Sequence, residues 1–431
     1  MRLELGTFHV GEVVFGPQTR LGGGRLEVDH DELARLALQD PRLRRASIQL
    51  VRPREEARIV HVCDTIEPRA KVSGPGGVFP GFVGPIRTVG EGRTHRLAGV
   101  AVTTTAELPW RKTGGIQIPR ESILDMSGPA ATLNPFADLF HLVLELELTP
   151  DLPDEDCDQA VRVAGLRVAE HLGRAARDQA PDELEVYELS EADPSLPRVV
   201  YLCQITSQGP FAASFLYGGS LDRLLPTIVH PNELLDGALV GGNLAGPAIR
   251  FPTYFHQNNP IVAGLYRDHG RELTFAGVVL MRGHYYALDD KYRVAQQAAK
   301  LVRWLRADGA IATWENAGNA LLEIMYTLQA CEQAGVRTVL LTFEHGGKDG
   351  RDTPLQFYVP EAVAMVSTGS LDPPVELPRM PRVVGGETIR LRPETGGERY
   401  PAAGPLTLDW RLELFASANQ GGWGRQARLD Y

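Results

Sequence analysis

VAQQAAKLVRWLRADGAIATW, residues 294–314, holds the change of period that decides the fold. Val294, Ala298, Leu301, Val302 and Leu305 recur at helical spacing, and the run Gly309–Trp314 that follows is short, apolar and strand-like. The same alternation extends outward. Upstream lies the strand-like Thr274–Met281; downstream come a helix carrying Leu321, Ile324, Met325 and Leu328, a strand over Thr338–Phe343 and strand-like Ala362–Val366. Strands alternating with helices imply right-handed crossovers and a parallel sheet with helices on both faces. Sites in such folds lie beyond the carboxyl ends of the strands, here Trp314-Glu315-Asn316 and the polar run Phe343–Gly350.

The first 130 residues read differently, as short strands over Leu3–Val14, Arg25–Val28, Ser47–Val51, Ile59–Cys63 and Thr94–Thr104, punctuated by glycine and proline. Ser73–Pro85 (SGPGGVFPGFVGP) is too rich in both for a helix or central strand and predicts a shaped loop. Val161, Ala164, Val168 and Leu172 predict a surface helix after an acidic linker. The division expected is a β-rich domain over 1–150, a linker and helix over 151–184, an α/β parallel-sheet domain over 185–375, and an irregular extension over 376–431 ending in a strand or hairpin within Leu406–Phe415. The fold class is therefore α/β.

A chain of 431 residues with 43% hydrophobic and 23% charged residues reads as an ordinary globular protein, neither disordered nor a membrane bundle. A net charge of −10 argues against nucleic-acid binding and against acidic membrane surfaces, since both need a basic face. The 45 glycines and 31 prolines exceed the usual share and point to many specified loops. Cys63, Cys157, Cys203 and Cys331 are far apart, with no C-x-x-C pair, so no disulfide framework or four-thiolate zinc site is indicated. The opening MRLELGTFHVGEVVFG lacks a basic region before an apolar one, and no apolar run is long enough to span a bilayer. A cytoplasmic protein is expected.

The opening MRLELG, Asp64–Gly74 (DTIEPRAKVSG), Gly77–Phe82 (GVFPGF), Asp125–Pro129 (DMSGP) and Pro252–Pro260 (PTYFHQNNP) resemble the α/β-subunit precursor of component B of glycine, sarcosine and betaine reductase. In that family the resemblance implies cleavage before the cysteine of Ser-Gly-Asn-Cys to generate a pyruvoyl group. It also implies a second component B subunit bearing a catalytic cysteine or selenocysteine, and reductive cleavage of the substrate's C–N bond. Here Gly241-Gly242-Asn243-Leu244 takes that motif's place, in a register fixed by Asp236-Gly237-Ala238 and Pro252-Thr253-Tyr254. Pyruvoyl formation needs a side-chain nucleophile to attack the preceding carbonyl, and no Ser, Thr or Cys occurs from Gly237 to Pro252. The expectation is an uncleaved chain with no pyruvoyl cofactor.

Candidate residues follow from these motifs. His256, set among Tyr254, Asn258 and Asn259, suits proton transfer if its imidazole titrates near its ordinary value, and the surrounding amides suit a carboxylate. Glu315 and Glu344, past neighbouring strands, join His256 as catalytic candidates. Asn243, Tyr254, Asn258, Asn259 and Asn319 are the substrate-binding candidates. The family's Glu-x-x-Gly-basic-Asp-Gly matches Glu344, Gly347, Lys348, Asp349 and Gly350 but leaves His345 unmatched. A divalent metal on a set drawn from His256, Glu315, Glu344, His345 and Asp349 has suitable ligand types but no standard spacing. His61 and Cys63 read as same-face residues of one half-buried strand, Cys203 and Cys331 as core, and Cys157 as a poor nucleophile among acids.

The expected role is a subunit in a homo- or hetero-oligomer, working with a thiol- or selenol-bearing partner subunit. Its substrate is a small carboxylate, in which it cleaves or exchanges a C–N, C–S or C–Se bond. The alternatives are a non-catalytic scaffold or regulatory subunit, or a stand-alone metal-dependent lyase.

Overall fold

The computed structural model describes residues 1–109, 121–209, 211–222, 224–242, 246–391 and 398–423. The amino-terminal half is built on strands β1 (Arg2–His9), β2 (Leu43–Val51), β3 (Val62–Ile66), β4 (Arg69–Ser73), β5 (Gly92–Ala98), β6 (Val100–Ala106) and β7 (Phe140–Leu148). The long helix α1 (Asp154–Arg174) and edge strand β8 (Glu183–Glu188) complete it. One sheet runs β8-β1-β5-β4 and a second runs β2-β7-β6-β3.

The chain changes sheets at corners that the alternating pattern conceals. The expected single strand Thr94–Thr104 is cut at Gly99, whose φ of +90° turns β5 out of one sheet and β6 into the next. A Cβ there would meet the Val10 carbonyl oxygen at 2.8 Å, so only glycine turns this corner without strain. The expected strand Ile59–Cys63 is likewise cut, at His61, which adopts φ +56°. Ala57–Val60 then belongs to a three-stranded sheet with Ile123–Asp125 and Arg382–Val384, while Cys63 lies in β3. His61 and Cys63 therefore do not share a strand face, and the His61 ring hydrogen-bonds the Thr388 carbonyl at 3.0 Å.

Helix α1 buries the stripe expected of it, Val161, Ala164, Val168 and Leu172. Its acidic first turn (Asp154, Glu155, Asp156) and basic last turn (His171, Arg174) complement the helix dipole. Gly165 and Gly173 let it lie close on the strands, since a Cβ at Gly173 would fall 2.3 Å from the Arg69 carbonyl carbon.

The second half is a six-stranded sheet ordered β10-β11-β9-β12-β13-β14, built from β9 (Arg198–Thr206), β10 (Thr227–Val229), β11 (Thr274–Gly283), β12 (Gly309–Trp314), β13 (Arg337–Glu344) and β14 (Met365–Ser370). All pairs are parallel except β10 with β11. Between them come short α2 (Thr253–Gln257), α3 (Pro260–Asp268), α4 (Leu288–Trp304) and α5 (Asn319–Gln333). Val200, Leu202, Val279 and Met281 face α4 and α5, whereas Tyr201, Cys203, Val278 and Leu280 face α3, so helices cover both faces as expected. The last strand begins at Met365 rather than Ala362. The apolar run before it packs as a loop, with Val359 and Ala362 buried against the α5 side.

The route reverses at β9. Its connection runs through α3 to β11, while α4 and α5 carry the chain back across the other face to β12 and β13. The crevice of such a reversal opens at the carboxyl ends of β9, β11 and β12.

The carboxyl-terminal stretch, expected as an irregular extension, returns into the amino-terminal half. Arg382–Val384 pairs in parallel with Ala57–Val60, Leu406–Leu408 pairs with Val375–Leu377, and Phe415 packs on Phe136. The Ser73–Pro85 loop is a second seam. Gly81, at φ +85°, meets the Tyr217–Gly218 backbone so closely that a Cβ would lie 2.2 Å from the Tyr217 carbonyl oxygen. Among the described residues no helix is long and apolar enough to cross a membrane.

Candidate functional site

Two stretches far apart in sequence meet above the sheet. Asp64 Oδ2 accepts from the Thr253 hydroxyl at 2.6 Å and Oδ1 from the Thr253 amide at 2.9 Å, placing a carboxylate at the start of α2. Burial pushes the Asp64 carboxyl up to about 6 against those hydrogen bonds. Gln257 closes on the Glu67 backbone with two bonds, 3.0 and 3.1 Å, and Arg69 donates to Asn258 Oδ1 at 2.7 Å. Asp64–Gly74 and Pro252–Pro260 are thus partners in one buried polar seam, and they hold α2 against the end of the sheet.

Glu315 sits at the reversal, immediately after β12. It is fully buried, and its two oxygens accept backbone N–H bonds from Thr206 (2.6 Å) and Phe251 (2.7 Å). Burial raises its pKa; the Arg250 charge and those amides pull it back. Arg250 is the anomaly of the region. It is 2% exposed, its Nη1 lies 4.0 Å from Glu315 Oε2, and none of its three guanidinium nitrogens makes a hydrogen bond. Buried polar groups are almost always hydrogen-bonded, because stranding one costs the full desolvation of that group. A guanidinium carries five donors, and here all await a partner.

Two imidazoles feel the Arg250 charge. His256, in α2, is fully buried with neither ring nitrogen bonded. Gly241 lies against it, since a Cβ there would come within 3.0 Å of Nε2 and 2.3 Å of the Phe251 carbonyl oxygen. Burial, with the Arg250 charge, pushes His256 down to about 3. The sequence-based expectation of an imidazole near its ordinary value is therefore corrected: this ring is neutral at physiological pH. His284 follows β11 at φ +73° and hydrogen-bonds the Asn316 side chain, itself at φ +75°, with 3.2 Å between His284 Nδ1 and Asn316 Nδ2. Left-handed backbone at two non-glycine residues is costly and clusters at functional sites. The His284 Nε2 is buried without a partner, and burial followed by Lys291, Arg282 and Arg250 brings the ring down to about 4. Arg162 holds the Gly241 carbonyl and Asp158, and Arg282 donates to the Ser207 carbonyl at 2.6 Å over the Tyr285 ring.

The remaining candidates are engaged elsewhere. Tyr254 packs edge-on to Phe136 and Trp423. The Asn258 carbonyl oxygen accepts from Arg69 and Arg96, and its amide donates to the Tyr254 carbonyl. Asn259 caps α3 through the Ile261 and Val262 amides and donates to the Tyr201 hydroxyl. Asn319 opens α5, its carbonyl accepting from Lys291 Nζ at 3.3 Å. Asn243 and Leu244 lie outside the described residues.

Glu344 is not beside Glu315. It lines a different cavity, of about 730 Å³, with Thr342, Asp352, Ser367 and Ser370. His345 hydrogen-bonds Asp372 at 3.0 Å, and Asp349 accepts the Arg351 amide. The proposed metal ligands His256, Glu315, Glu344, His345 and Asp349 thus do not converge, and among the described residues no three His, Cys, Asp or Glu side chains are grouped to hold an ion. Glu315 is turned back to β9 by two amides, and His345 is taken by Asp372. All four cysteines are buried; burial pushes Cys203 and Cys331 up to about 12 and Cys63 higher still.

Sequence reasoning missed Arg250, Arg162, Arg282 and His284. Arg250 stands alone in an apolar run and belongs to no motif. His284 was within reach of the strand-end rule, had β11 been followed to Gly283 rather than Met281.

Comparison with known proteins agrees with this frame. The model of glycine/sarcosine/betaine reductase component B subunits matches residues 1–426. Sarcosine reductase complex component B subunit alpha of Peptoclostridium acidaminophilum is 38% identical over 391 residues, covering 89% of each chain. Glycine reductase complex component B subunits alpha and beta of Acetoanaerobium sticklandii are 36% identical over the same span, covering 89% of each chain. Betaine reductase complex component B subunit alpha of P. acidaminophilum is 36% identical over 397 residues, covering 89% of this chain and 88% of its own. No solved structure matches. The chain belongs to the glycine/sarcosine/betaine reductase component B family.

Proposed function

We propose that this chain is the substrate-holding subunit of a reductase-type complex, in which Arg250 anchors a small carboxylate close to Gly246. A thiolate or selenolate on a partner subunit attacks the α carbon. The sulfur–carbon or selenium–carbon bond forms as the bond from that carbon to N, S or Se breaks, and the electron pair departs with the leaving group. The step needs no external oxidant. The nucleophile comes from the partner because this chain's own cysteines are all buried, and burial raises the pKa of Cys63, Cys203 and Cys331.

One observation carries the reading: a buried guanidinium with no hydrogen bond on any nitrogen and only a 4.0 Å ion pair to Glu315, at the reversal of a parallel sheet. A carboxylate matches its fork geometry and satisfies the stranded donors. Neutral His256 adds one N–H donor to the bound oxygens, and Glu315 orients Arg250 while its own oxygens stay fixed on backbone amides.

A pyruvoyl group does not fit these residues. Gly237–Pro252 offers no hydroxyl or thiol, and the first hydroxyl beyond it, on Thr253, donates to Asp64 and accepts the Gly241 amide. The chain is expected to stay in one piece.

The test is mass spectrometry of the complex purified from its native host through a tag on this chain. The expected result is an uncut chain of full mass, and a co-purifying subunit whose Cys or selenocysteine gains a carboxyalkyl group on incubation with substrate carboxylates. Arg250→Gln should abolish the adduct while the complex stays intact. An adduct that survives Arg250→Gln removes the guanidinium from the site. An intact complex that forms none with any carboxylate indicates a scaffold, and two fragments split near Asn243 restore self-processing.

A further inference from the structure

We infer that the cavity beside β13 and β14 is a second ligand site, one that takes an organic cation with an apolar body and pairs its ammonium with Glu344 and Asp352. Arg250 is not among its lining residues, and the inference does not depend on the carboxylate reading above.

The cavity holds about 730 Å³. Small-molecule sites usually measure roughly 300–1,000 Å³. Its lining carries two carboxylates, Glu344 and Asp352, and no lysine, arginine or histidine. Among the described residues neither carboxylate takes a hydrogen bond or an ion pair. The other charged groups of this loop are engaged or lie outside the lining. His345 is bonded to Asp372 at 3.0 Å, Arg351 lies 3.8 Å from Asp349, and Lys348 is exposed. The lining hydroxyls of Thr342, Ser367 and Ser370 are neutral and already accept from the Trp314 indole and from the Gly369 and Gly346 amides. Val339, Leu355, Ala362, Val363, Met365 and Val366 make most of the remaining wall apolar.

That wall defines the guest. An anion would meet like charge, and a neutral molecule would leave the half-buried Glu344 carboxylate unpaired beside apolar surface. A metal ion lacks ligands, since among the described residues no three His, Cys, Asp or Glu side chains are grouped here or elsewhere. An alkyl- or arylalkylammonium suits both parts of the wall, its head by charge-assisted hydrogen bonds and its body by burial.

The rim is built in advance. Glu344 ends β13 opposite Ser370, just past a bulge in β14 where Gly369, at φ +102°, takes up one extra residue. The loop that follows is closed by three backbone donors: His345 to the Pro354 carbonyl at 2.7 Å, Asp352 to the Gly346 carbonyl at 3.0 Å, and Gly347 to Asp372 Oδ2 at 2.8 Å. The Asp352 carboxylate lies so close over Gly347 that a Cβ there would come 2.3 Å from Oδ2. A rim held this way has little ordering left to do when a ligand arrives.

Matched pairs test the site by calorimetric titration of the full chain: phenethylamine against 2-phenylethanol, and tryptamine against tryptophol, which share a body and differ in charge. Each ammonium is expected to bind about tenfold or more tighter than its alcohol, and methylammonium, a head without a body, about tenfold or more weaker than either amine. Glu344→Gln combined with Asp352→Asn should bring each amine down to the affinity of its alcohol. An alcohol that matches its amine, amines indifferent to the double substitution, methylammonium as tight as the larger amines, or no binding by any of them would each overturn the inference. The wild-type comparison decides the charge preference whether or not the variant folds.

Discussion

At the scale of single residues, the site is a set of groups denied their usual state. Burial holds His256 at about 3 and His284 at about 4, below the ordinary 6.5, and does the same to His141, at about 4. The unfolded chain takes up a proton on each ring as pH falls through 6.5, while the folded chain does not until far lower. Stability is therefore lost as pH drops from about 6.5 toward 4. Asp64, raised to about 6 from 3.8, works the other way and offsets roughly one histidine below pH 6. Removing one such ring should flatten the profile. Urea unfolding of His256→Gln between pH 6.5 and 5 is expected to lose stability less steeply than wild type, by about 1 kcal/mol per pH unit. Parallel profiles would mean that His256 is already protonated in the fold.

Elements owe their positions to close backbone contacts that side-chain patterning cannot express. The Ser73–Pro85 loop was legible as a loop and as a family-matching motif, but its partner was not. Gly81 and Gly218 meet back to back, each at positive φ, with a Cβ on Gly218 coming 2.6 Å from the Gly81 carbonyl oxygen. Gly81→Ala is expected to cost about 2 kcal/mol of stability, since it meets both a left-handed backbone and a backbone wall. Thermal unfolding beside Gly23→Ala, which also has positive φ but an open surround, separates the two causes. Equal losses in both variants would show that the wall has no effect. Strand ends were legible in part. Glu315 was placed at its strand's end correctly, yet its bonds to Thr206 and Phe251 depend on which strand lies next to β12, a matter of sheet order.

Across the whole molecule, the carboxyl-terminal stretch is structural to the half it returns to. Arg382–Val384 extends the sheet holding Ala57–Val60, while Phe415 and Trp423 cover the aromatic cluster of Phe136, Tyr254 and Phe255 under α2. A chain ending at residue 375 should therefore lose cooperative unfolding and bind a hydrophobic dye, as a state with an exposed core does. A sharp transition with no dye binding would instead make 376–431 a dispensable appendage.

What the sequence determined by itself is periodic or covalent. The βαβαβ order follows from the switch between helical and strand spacing around 294–314. The family follows from motifs at matching positions, and the missing nucleophile from the side chains between Gly237 and Pro252. Tertiary structure alone decided which distant residues are buried together. Arg250 looks unremarkable in its apolar run and becomes a stranded cation only once the sheet buries it. Asn258 and Asn259 look like free donors until Arg69, Arg96 and a helix end claim them. Burial and hydrogen-bond satisfaction are properties of the packed whole, and they set both the charge and the availability of a group. No local pattern encodes them.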